Sequence, residues 1–474
     1  MRFSQLLETK RLALWGWGKE TYATYNALRA YERVHAVDAP LPITIFCPPD
    51  ASIDAIATDP KLNIAHSITA DHLSRFPVIV KSPGISPYSP IAREVCRSGT
   101  ILIGSTHLWF AEKANAHSLA PGTLCITGTK GKSTSSALLA HILRSAGFRC
   151  GLAGNIGLPL LDVVAPQPEP DYWVIELSSF QTGDVADSTV RPLLAIVLNL
   201  FSEHGDWHGS TDRYIHDKLR LITEAQPHIV VLNAKDTRLR TLQLQHSHCV
   251  WFNTTEGWHV QDKAIYMGQQ HVFDANNIML PGQHNLENFC ALLAALDALD
   301  LDAFALAQHI RSFKPLPHRL QILGCKEGIT WVNDSISTTP QATLSALHSF
   351  SDQPVALIVG GYDRGIDWNS CASNFHCNAP LTIITHAANG PHIFSALAPY
   401  AAQYHFRLLA VDDLTCAMAA ATMALKSSGG IALLSPGAPS FGPYKNYIAR
   451  GMHFAELAGF ARPNYEEIAG LGVF

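Results

Sequence analysis

The residues with the clearest chemical purpose run from Gly128 to Thr134 and read Gly-Thr-Lys-Gly-Lys-Ser-Thr. An apolar run precedes this segment and a helical pattern follows it. A strand, a glycine-rich loop and a helix in this order cradle phosphate groups with backbone N–H groups and the helix N-terminus. In such a loop Lys132 reaches the terminal phosphates, and Ser133 or Thr134 can bind Mg²⁺. Ile126 replaces the first glycine of a standard phosphate loop, so this loop is a shorter variant. The alternative is an incidental glycine and serine turn.

Two further segments carry side chains of the types that bind cations. Glu176 ends an apolar run, and a carboxylate at the carboxyl end of a parallel strand faces the ligand crevice. Beside a phosphate loop it is a natural Mg²⁺ ligand, although an exposed strand-end glutamate is the alternative. His204 lies in a short loop rich in ligand-type side chains and could bind a second cation, or the loop is simply polar. Lys218 follows on a helical pattern and reads, by itself, as an ordinary surface lysine.

Weaker signals point to nucleotide contacts. The turn that begins at Gly16 has the form Gly-x-Gly but lacks a third glycine, so it fits a dinucleotide site, an anion site or a plain turn. Asn285 and Asn288 share one helix face and could recognise a nucleobase or support the helix start. Arg319 suits a phosphate and Asp334 a ribose hydroxyl.

The elements that must position these residues follow an α/β pattern. Short continuous apolar runs alternate with helical patterns, which is typical of buried parallel sheets. The runs are 12–15, 43–46, 78–80, 124–127, 173–177, 193–200, 356–359, 381–384 and 431–434.

The length of 474 residues suggests about three domains. Polar or proline-containing stretches at 113–122 and 313–318 divide the chain. We therefore predict three α/β domains at 1–117, 118–315 and 316–474.

The composition narrows the class of protein. Hydrophobic residues make up 47% and charged residues 15%, which favours large buried cores over disorder. The net charge of −5 and the lack of a long basic run argue against a nucleic-acid-binding protein. No apolar run is long enough for a membrane span, and charged residues interrupt the N-terminus, so we expect no membrane association and a cytoplasmic location. The ten cysteines show no Cys-x-x-Cys spacing, so no zinc or redox site is indicated.

Taken together and in this order, the motifs closely resemble the Mur ligases of bacterial cell-wall synthesis. The resemblance covers essentially the whole chain and is closest to the type that adds glutamate to UDP-N-acetylmuramoyl-L-alanine. The segments that carry it are GTKGKST at 128–134, GNIGLPLLD at 154–162, IELSSFQT at 175–182, LPGQHNLEN at 280–288, PHRLQ at 317–321, NDSISTTP at 333–340 and SPGAPSFGPYKNY at 435–447.

The resemblance implies a Rossmann-like N-terminal domain for the UDP group, a central domain like a P-loop ATPase, and a Rossmann-like C-terminal domain for the amino acid. It implies catalytic roles for Lys132, Glu176, His204 and Lys218, with Lys218 carbamylated by CO₂. Metal contacts would come from Ser133, Glu176, His204 and the modified Lys218. The resemblance assigns ATP contacts to Gly128, Thr129, Lys130, Gly131, Lys132, Ser133, Thr134, Asn285, Asn288, His318, Arg319 and Asp334. It assigns contacts with the UDP substrate to Gly16, Thr21, Ser82, Gly84, Thr106 and Asn155.

The implied reaction uses ATP and two Mg²⁺ ions. ATP phosphorylates the alanyl carboxylate, and the amine of glutamate attacks the resulting acyl phosphate. The protein would mainly position the reactants and neutralise charge.

The C-terminal segments depart from the common pattern of this type. Ile336 replaces a lysine, Arg364 replaces another lysine, and the serine loop at 435–440 is altered. These changes resemble a branch that adds L-glutamate, whose product a separate epimerase inverts. We therefore expect L-glutamate, with D-glutamate as the alternative, and contacts from Thr338, Arg364, Ser440 and Tyr447.

Three other classes of protein share parts of this pattern. A folylpolyglutamate-synthase type of ligase would not need the N-terminal UDP domain. A non-catalytic nucleotide-binding module would not need the intact set Lys132, Glu176, His204 and Lys218. A nicotinamide oxidoreductase would leave the phosphate loop unexplained.

Overall fold

We describe the protein from a computed structural model. The structure describes all residues except 52, 54, 55, 57, 202–204, 275–277, 279, 281, 364, 366, 378 and 461–469. The chain forms two compact units, one with residues 1–274, 287–310 and 470–474, the other with residues 275–286 and 311–469. No helix in the described part of the chain is long and apolar enough to span a membrane.

The N-terminal part of the first unit contains a five-stranded parallel sheet of order β3-β2-β1-β4-β5. Its strands are β1 (Leu12–Trp15), β2 (Ile43–Phe46), β3 (Leu62–Ala65), β4 (Val78–Lys81) and β5 (Ile101–Gly104). Its helices are α1 (Phe3–Glu8), α2 (Lys19–Val34), α3 (Ala70–Leu73), α4 (Pro90–Arg97) and α5 (Ser105–Lys113). This strand order is that of a Rossmann-like fold, which places ligands at the carboxyl ends of β1 and β4, where the strand order reverses.

A seven-stranded sheet of order β11-β10-β9-β6-β8-β7-β21 follows in the same unit. Only β21 runs antiparallel to its neighbour in this sheet. Its strands are β6 (Leu119–Thr127), β7 (Cys150–Gly154), β8 (Tyr172–Glu176), β9 (Arg191–Val197), β10 (Ile229–Asn233), β11 (His248–Phe252) and β21 (Gly472–Val473).

The helices of this region are α6 (Lys132–Ser145), α7 (Thr182–Asp187), α8 (Gly205–His208), α9 (Thr211–Thr223), α10 (Thr237–Arg240), α11 (Gln283–Ala298) and α12 (Ala303–Leu306), with 3₁₀ turns at Leu160–Val163 and Ala307–Ser312. A small antiparallel sheet comprises β12 (Trp258–Gln261), β13 (Ala264–Met267) and β14 (Gln270–Asp274).

The second unit is built on a six-stranded sheet of order β15-β16-β20-β17-β18-β19, parallel except for β15. Its strands are β15 (Gln321–Lys326), β16 (Ile329–Asn333), β17 (Val355–Gly360), β18 (Thr382–His386), β19 (Arg407–Ala410) and β20 (Gly430–Leu434). Its helices are α13 (Pro340–His348), α14 (Asn369–Ala372), α15 (Gly390–Ala401), α16 (Leu414–Leu425) and α17 (Tyr447–Leu457), with a 3₁₀ turn at Ser373–Cys377.

The α/β class and the predominance of parallel sheets confirm the prediction from the apolar runs. Each of the nine runs overlaps an observed strand. The prediction missed the other strands, including the three of the small antiparallel sheet, of which β12 and β14 mix polar with apolar residues.

The first two sheets share one hydrophobic core. Trp109 of α5 packs edge-on against Trp173 of β8, with ring centres 5.3 Å apart. Lys113 lies over both indole rings and pairs with Glu169, which also accepts a hydrogen bond from the Trp173 indole at 2.8 Å. The three-domain division stays a prediction, and the shared core explains why the first two sheets form one unit.

Candidate active site

The phosphate loop connects β6 to α6. Gly131 adopts a left-handed conformation (φ +84°), and a Cβ atom there would lie 2.3 Å from Nδ2 of Asn288 on α11. The left-handed backbone therefore favours glycine at this position, and any larger residue would also force the Asn288 side chain to move. The ammonium of Lys132 donates to the carbonyl of Thr129 at 3.0 Å, which holds the side chain back over the loop.

Asn199 clamps the loop, a role that sequence reasoning missed. Its backbone carbonyl accepts from the N–H of Thr129 at 2.9 Å, and its Oδ1 accepts from the N–H of Lys130 at 2.8 Å. Its Nδ2 donates to the carbonyl of Lys130 at 3.0 Å. In the sequence, Asn199 is visible only as an amide just after an apolar run. It reaches the phosphate loop because β9, which precedes it, pairs with β6, which leads into the loop.

Glu176 ends β8 and is only 1% exposed. Its Oε1 accepts a hydrogen bond from Nδ2 of Asn155 at 2.9 Å, so the structure places the amide of Asn155 on this carboxylate. Within the described residues, Oε2 is buried and has no hydrogen-bond partner. A buried carboxylate oxygen left without a partner is costly, and a bound cation would satisfy it.

The hydroxyl-bearing Ser133 is also buried, at the start of α6. The described residues contain no cluster of three or more His, Cys, Asp or Glu that could hold a metal by themselves. Mg²⁺ is typically held by one or two carboxylates together with substrate phosphates and water. Glu176 and Ser133 fit that mode of binding.

Lys218 of α9 is buried, contrary to its interpretation as an ordinary surface lysine. Its side chain is 1% exposed, and Nζ donates to the carbonyl of Gly128 at 2.9 Å. Nζ also lies 5.0 Å from the ring centre of Tyr214, whose hydroxyl bonds Oγ1 of Thr129 at 2.8 Å. Folding therefore brings Lys218 to the first residue of the phosphate loop.

Asp217, next to Lys218, is a second feature that sequence reasoning missed. It is 4% exposed and accepts hydrogen bonds from Tyr88 and His208. Burial alone would raise the pKa of Asp217, but these two bonds, with the charge of His208 and a further bond from His216, outweigh burial and lower the pKa. Burial, together with the adjacent Asp217, raises the pKa of Tyr88, which keeps its hydroxyl protonated as a donor.

Apart from Asn155, the residues expected to contact the UDP substrate lie near the carboxyl edge of the N-terminal sheet. Gly16 has φ +87°, and a Cβ there would lie 2.9 Å from Cβ of Ser82, so the two loops touch. Thr21 caps α2 through its hydrogen bond from the N–H of Gly18. In the described structure the Thr106 hydroxyl, at the start of α5, is buried and has no partner. Gly84 has open space where a side chain would stand.

In the second unit, Asp334 accepts hydrogen bonds from the hydroxyls of Ser337 at 2.5 Å and Ser435 at 2.7 Å. Burial raises the pKa of Asp334 to about 6 despite these bonds. His318 bonds Asn333 at 3.0 Å, and burial lowers its pKa to about 4. Arg319 is half-buried.

Arg450 of α17 organises the loops of this unit and was also missed. It is 1% exposed and donates to Ser335 and to the carbonyls of Gly360, Ala438 and Pro439. Burial lowers the pKa of Arg450 to about 10. Ser440 is buried, Tyr447 is half-buried and Thr338 is exposed.

Two expected site residues, His204 and Arg364, lie outside the described residues. Two asparagines of α11 were expected to contact the nucleotide. Asn288 packs against the phosphate loop, and Asn285 lies on the same helix.

Known proteins resemble this chain both in sequence and in fold. Residues 126–296 match the Mur ligase middle domain. The chain is 54% identical over its whole length, and over the whole length of the relative, to the UDP-N-acetylmuramoyl-L-alanine--L-glutamate ligase of Xanthomonas euvesicatoria pv. vesicatoria (strain 85-10). It is 53% identical, again with complete coverage of both chains, to the protein of the same name from Xylella fastidiosa (strain 9a5c).

Among solved structures, the MurF ligase from Thermotoga maritima in complex with ADP is similar, with a TM-score of 0.55 at 15% identity. The match covers 95% of this chain and 97% of the other. Fold and site together define an α/β protein with a phosphate loop, of the architecture found in Mur ligases. The two relatives that match along their whole length establish the family, so the chain belongs to the Mur ligase family.

Proposed function

We propose that this protein is an ATP-dependent ligase that joins L-glutamate to UDP-N-acetylmuramoyl-L-alanine during peptidoglycan precursor synthesis. The observation that carries the proposal is the 54% identity, over both complete chains, to a ligase of that name. The phosphate loop with Lys132, and the buried Glu176 and Lys218 nearby, supply the machinery for phosphoryl transfer.

In the first step, a carboxylate oxygen of the alanyl group attacks the γ-phosphorus of ATP. The bond from the γ-phosphorus to the bridging oxygen breaks, ADP leaves, and an acyl phosphate forms. Lys132 and the backbone N–H groups at the start of α6 stabilise the charge on the transferring oxygens. Asn199 keeps the loop in the shape that presents those N–H groups.

In the second step, the glutamate amine attacks the acyl carbon. The carbon–oxygen bond to phosphate breaks, inorganic phosphate leaves, and the nitrogen gives up a proton as the amide forms. An acyl phosphate is readily hydrolysed, so the site must also exclude water. The protein therefore contributes mainly positioning and charge neutralisation.

Mg²⁺, when bound, would neutralise charge on the phosphates of ATP. Glu176 would hold it through the buried Oε2, with Ser133, and His204 is proposed as a further ligand. For Lys218 we propose carbamylation, in which the neutral amine adds to CO₂ and releases a proton. The burial of Lys218 beside the phosphate loop supports this proposal, and the carbamate has two oxygens suited to a cation or its water.

We propose three domains, with the boundaries predicted above, supported by the three separate large sheets. Gly16, Thr21, Ser82, Gly84, Thr106 and Asn155 would serve the UDP substrate. Asn285, Asn288, His318, Arg319 and Asp334 would serve ATP, and Thr338, Arg364, Ser440 and Tyr447 the amino acid.

The test is phosphate release with UDP-N-acetylmuramoyl-L-alanine and ATP, run in parallel with L-glutamate and D-glutamate. We expect turnover with the L isomer and at least 100-fold less with the D isomer. Turnover with D-glutamate alone would establish the alternative specificity and would mean that Ile336 and Arg364 do not invert it. No turnover with either isomer would overturn the proposal.

The L-glutamyl product implies a later inversion of that residue, for which we propose a partner enzyme of the epimerase class. We also propose that the enzyme acts in the cytoplasm, where ATP and the UDP-linked precursor are available.

A further inference from the structure

The segment at 82–88, which follows β4, contacts the region of α8 and α9 directly. The hydroxyl of Ser86 donates to the carbonyl of Trp207 at 2.7 Å, and the indole N–H of Trp207 donates to the carbonyl of Pro83 at 3.2 Å. The ring of Tyr88 stands edge-on to Trp207, with centres 6.0 Å apart, and the Arg213 guanidinium lies 4.7 Å from the Tyr88 ring centre. The segment is thus joined to α8 by two hydrogen bonds and a ring contact, and to α9 by the contact of Arg213 with the Tyr88 ring.

The innermost of these contacts is made by Tyr88. Its hydroxyl donates to Oδ1 of Asp217 at 2.6 Å, a short hydrogen bond to a buried acceptor. Such a bond to an ionised group is among the stronger ones in proteins.

Asp217 is held from two further directions. Its Oδ2 lies 2.7 Å from Nδ1 of His208, whose Nε2 is 3.0 Å from the hydroxyl of Ser179. The backbone carbonyl of Asp217 accepts from the hydroxyl of Thr182 at 2.7 Å. Ser179 and Thr182 lie in the segment that follows Glu176. Asp217 therefore joins three segments: the one at 82–88, the one after Glu176, and helix α9 with Lys218.

Lys218 is the next residue on α9. Successive side chains on an α-helix leave the backbone about 100° apart, so fixing the helix at Asp217 sets the direction of the Cα–Cβ bond of Lys218. Lys218 in turn reaches the carbonyl of Gly128 at 2.9 Å. A continuous chain of contacts therefore runs from Tyr88 through Asp217 and Lys218 to the phosphate loop.

We infer that Tyr88 is a positioning residue for the ligation: through Asp217 it couples the segment at 82–88 to Lys218. The inference rests on the proposed function, in which Ser82 and Gly84 of this segment serve the UDP substrate and Lys218 serves the phosphoryl transfer. Substrate seated on the segment then favours the arrangement in which Lys218 is correctly aimed.

The test compares the full-length Tyr88→Phe, Asp217→Asn and double variants with the unchanged protein. Tyr25→Phe is the matched control, because Tyr25 donates an equivalent bond to Asp59 at 2.7 Å within the N-terminal sheet region. For each protein we would measure kcat, KM for the UDP substrate, substrate binding by calorimetry, and the bicarbonate concentration that restores half of the activity after CO₂ depletion.

We expect Tyr88→Phe to lower kcat at least tenfold and to raise the bicarbonate requirement, while substrate affinity and the unfolding midpoint stay close to those of Tyr25→Phe. Asp217→Asn should lower kcat further, and adding Tyr88→Phe to it should change kcat less than twofold, because the acceptor is already altered.

A Tyr88→Phe variant with kcat within twofold of the unchanged protein would overturn the inference, as would fully additive losses in the double variant. Either result would leave the proposed function intact. An unchanged protein that is inactive with both glutamate isomers would overturn the proposed function itself.

Discussion

The ammonium of Lys218 donates to the backbone carbonyl of Gly128 at 2.9 Å. Ninety residues of sequence separate the two, and nothing in the local pattern of either segment predicts that they meet. Their contact places a buried lysine at the first residue of the phosphate loop. The charge beside the loop therefore depends on whether Lys218 carries an ammonium or a carbamate.

Replacing Lys218 tests this role directly. We expect Lys218→Ala to lower phosphate release at least 100-fold, because a group that neutralises or positions charge near the transferring phosphate is lost. Lys235→Ala is the control, since Lys235 forms an exposed ion pair with Glu287. If a carbamate is the active form, added formate or acetate should restore part of the activity. Activity of Lys218→Ala within threefold of the control would rule out a catalytic lysine here.

Glu176→Gln removes the negative charge but keeps the shape of the side chain. The amide can still accept from Asn155 but binds a cation poorly. We expect the Mg²⁺ concentration for half-maximal activity to rise at least tenfold, measured by titrating Mg²⁺ in the phosphate-release assay. Glu224→Gln changes a half-exposed carboxylate on the surface and should leave the titration unchanged. An unchanged Mg²⁺ requirement for Glu176→Gln would remove this residue from the metal site.

Asn199→Ala should loosen the phosphate loop. It removes the side-chain bonds to the N–H and carbonyl of Lys130, at about 1 kcal/mol each. We expect KM for ATP to rise roughly tenfold, with little change in KM for glutamate. Asn63→Ala, on the exposed edge strand β3, serves as the control. Equal rises in both KM values would indicate a general loss of structure instead.

Asp184 predicts a specific pH dependence of stability. Burial raises the pKa of its carboxyl from 3.8 to about 6, and Oδ2 has no partner among the described residues. Between pH 4 and 6 the folded state then binds more protons than the unfolded state, so this group's contribution to stability falls as pH rises. Above pH 6 the carboxylate is ionised in both states, at a cost in the folded state of roughly 3 kcal/mol.

Asp184→Asn removes the cost of the buried charge. We therefore expect a higher unfolding temperature at pH 7.5 and little change at pH 4.5, measured by thermal scans of both proteins. Asp38→Asn alters an exposed aspartate and should leave both temperatures nearly unchanged. A lower unfolding temperature for Asp184→Asn at pH 7.5 would contradict the argument and would mean that the ionised form is stabilised by its surroundings.

Arg450→Met keeps most of the apolar stem and removes the guanidinium. It leaves the buried carbonyl of Ala438 without this donor, at about 1–3 kcal/mol, whereas the carbonyl of Pro439 still accepts from the N–H of Tyr362. We expect a lower unfolding temperature and a rise of at least tenfold in KM for glutamate. Arg407→Met, an exposed change on β19, is the control. An unchanged KM would separate this arginine from the amino-acid pocket.

Local patterns predicted several parts of this protein well. The phosphate loop was identified because its glycines, lysine and hydroxyls act within one short segment and need no distant partner. The apolar runs that became β1, β2 and β20 were identified because burial on both faces of a parallel strand leaves a continuous hydrophobic signature. Strands β12 and β14 of the small antiparallel sheet have half-exposed faces and mix polar with apolar residues, so they leave no such signature.

The sequence by itself determined the α/β class, the phosphate loop and the family, because these depend on short-range spacing and on motif order. Only the tertiary structure decided that Lys218 is buried, that Asn199 clamps the loop, and that Tyr88 reaches Asp217. These facts depend on which strands are neighbours and on how segments 69 to 129 residues apart pack together. Burial and hydrogen bonding at such sites are properties of the packed arrangement, and no single segment encodes them.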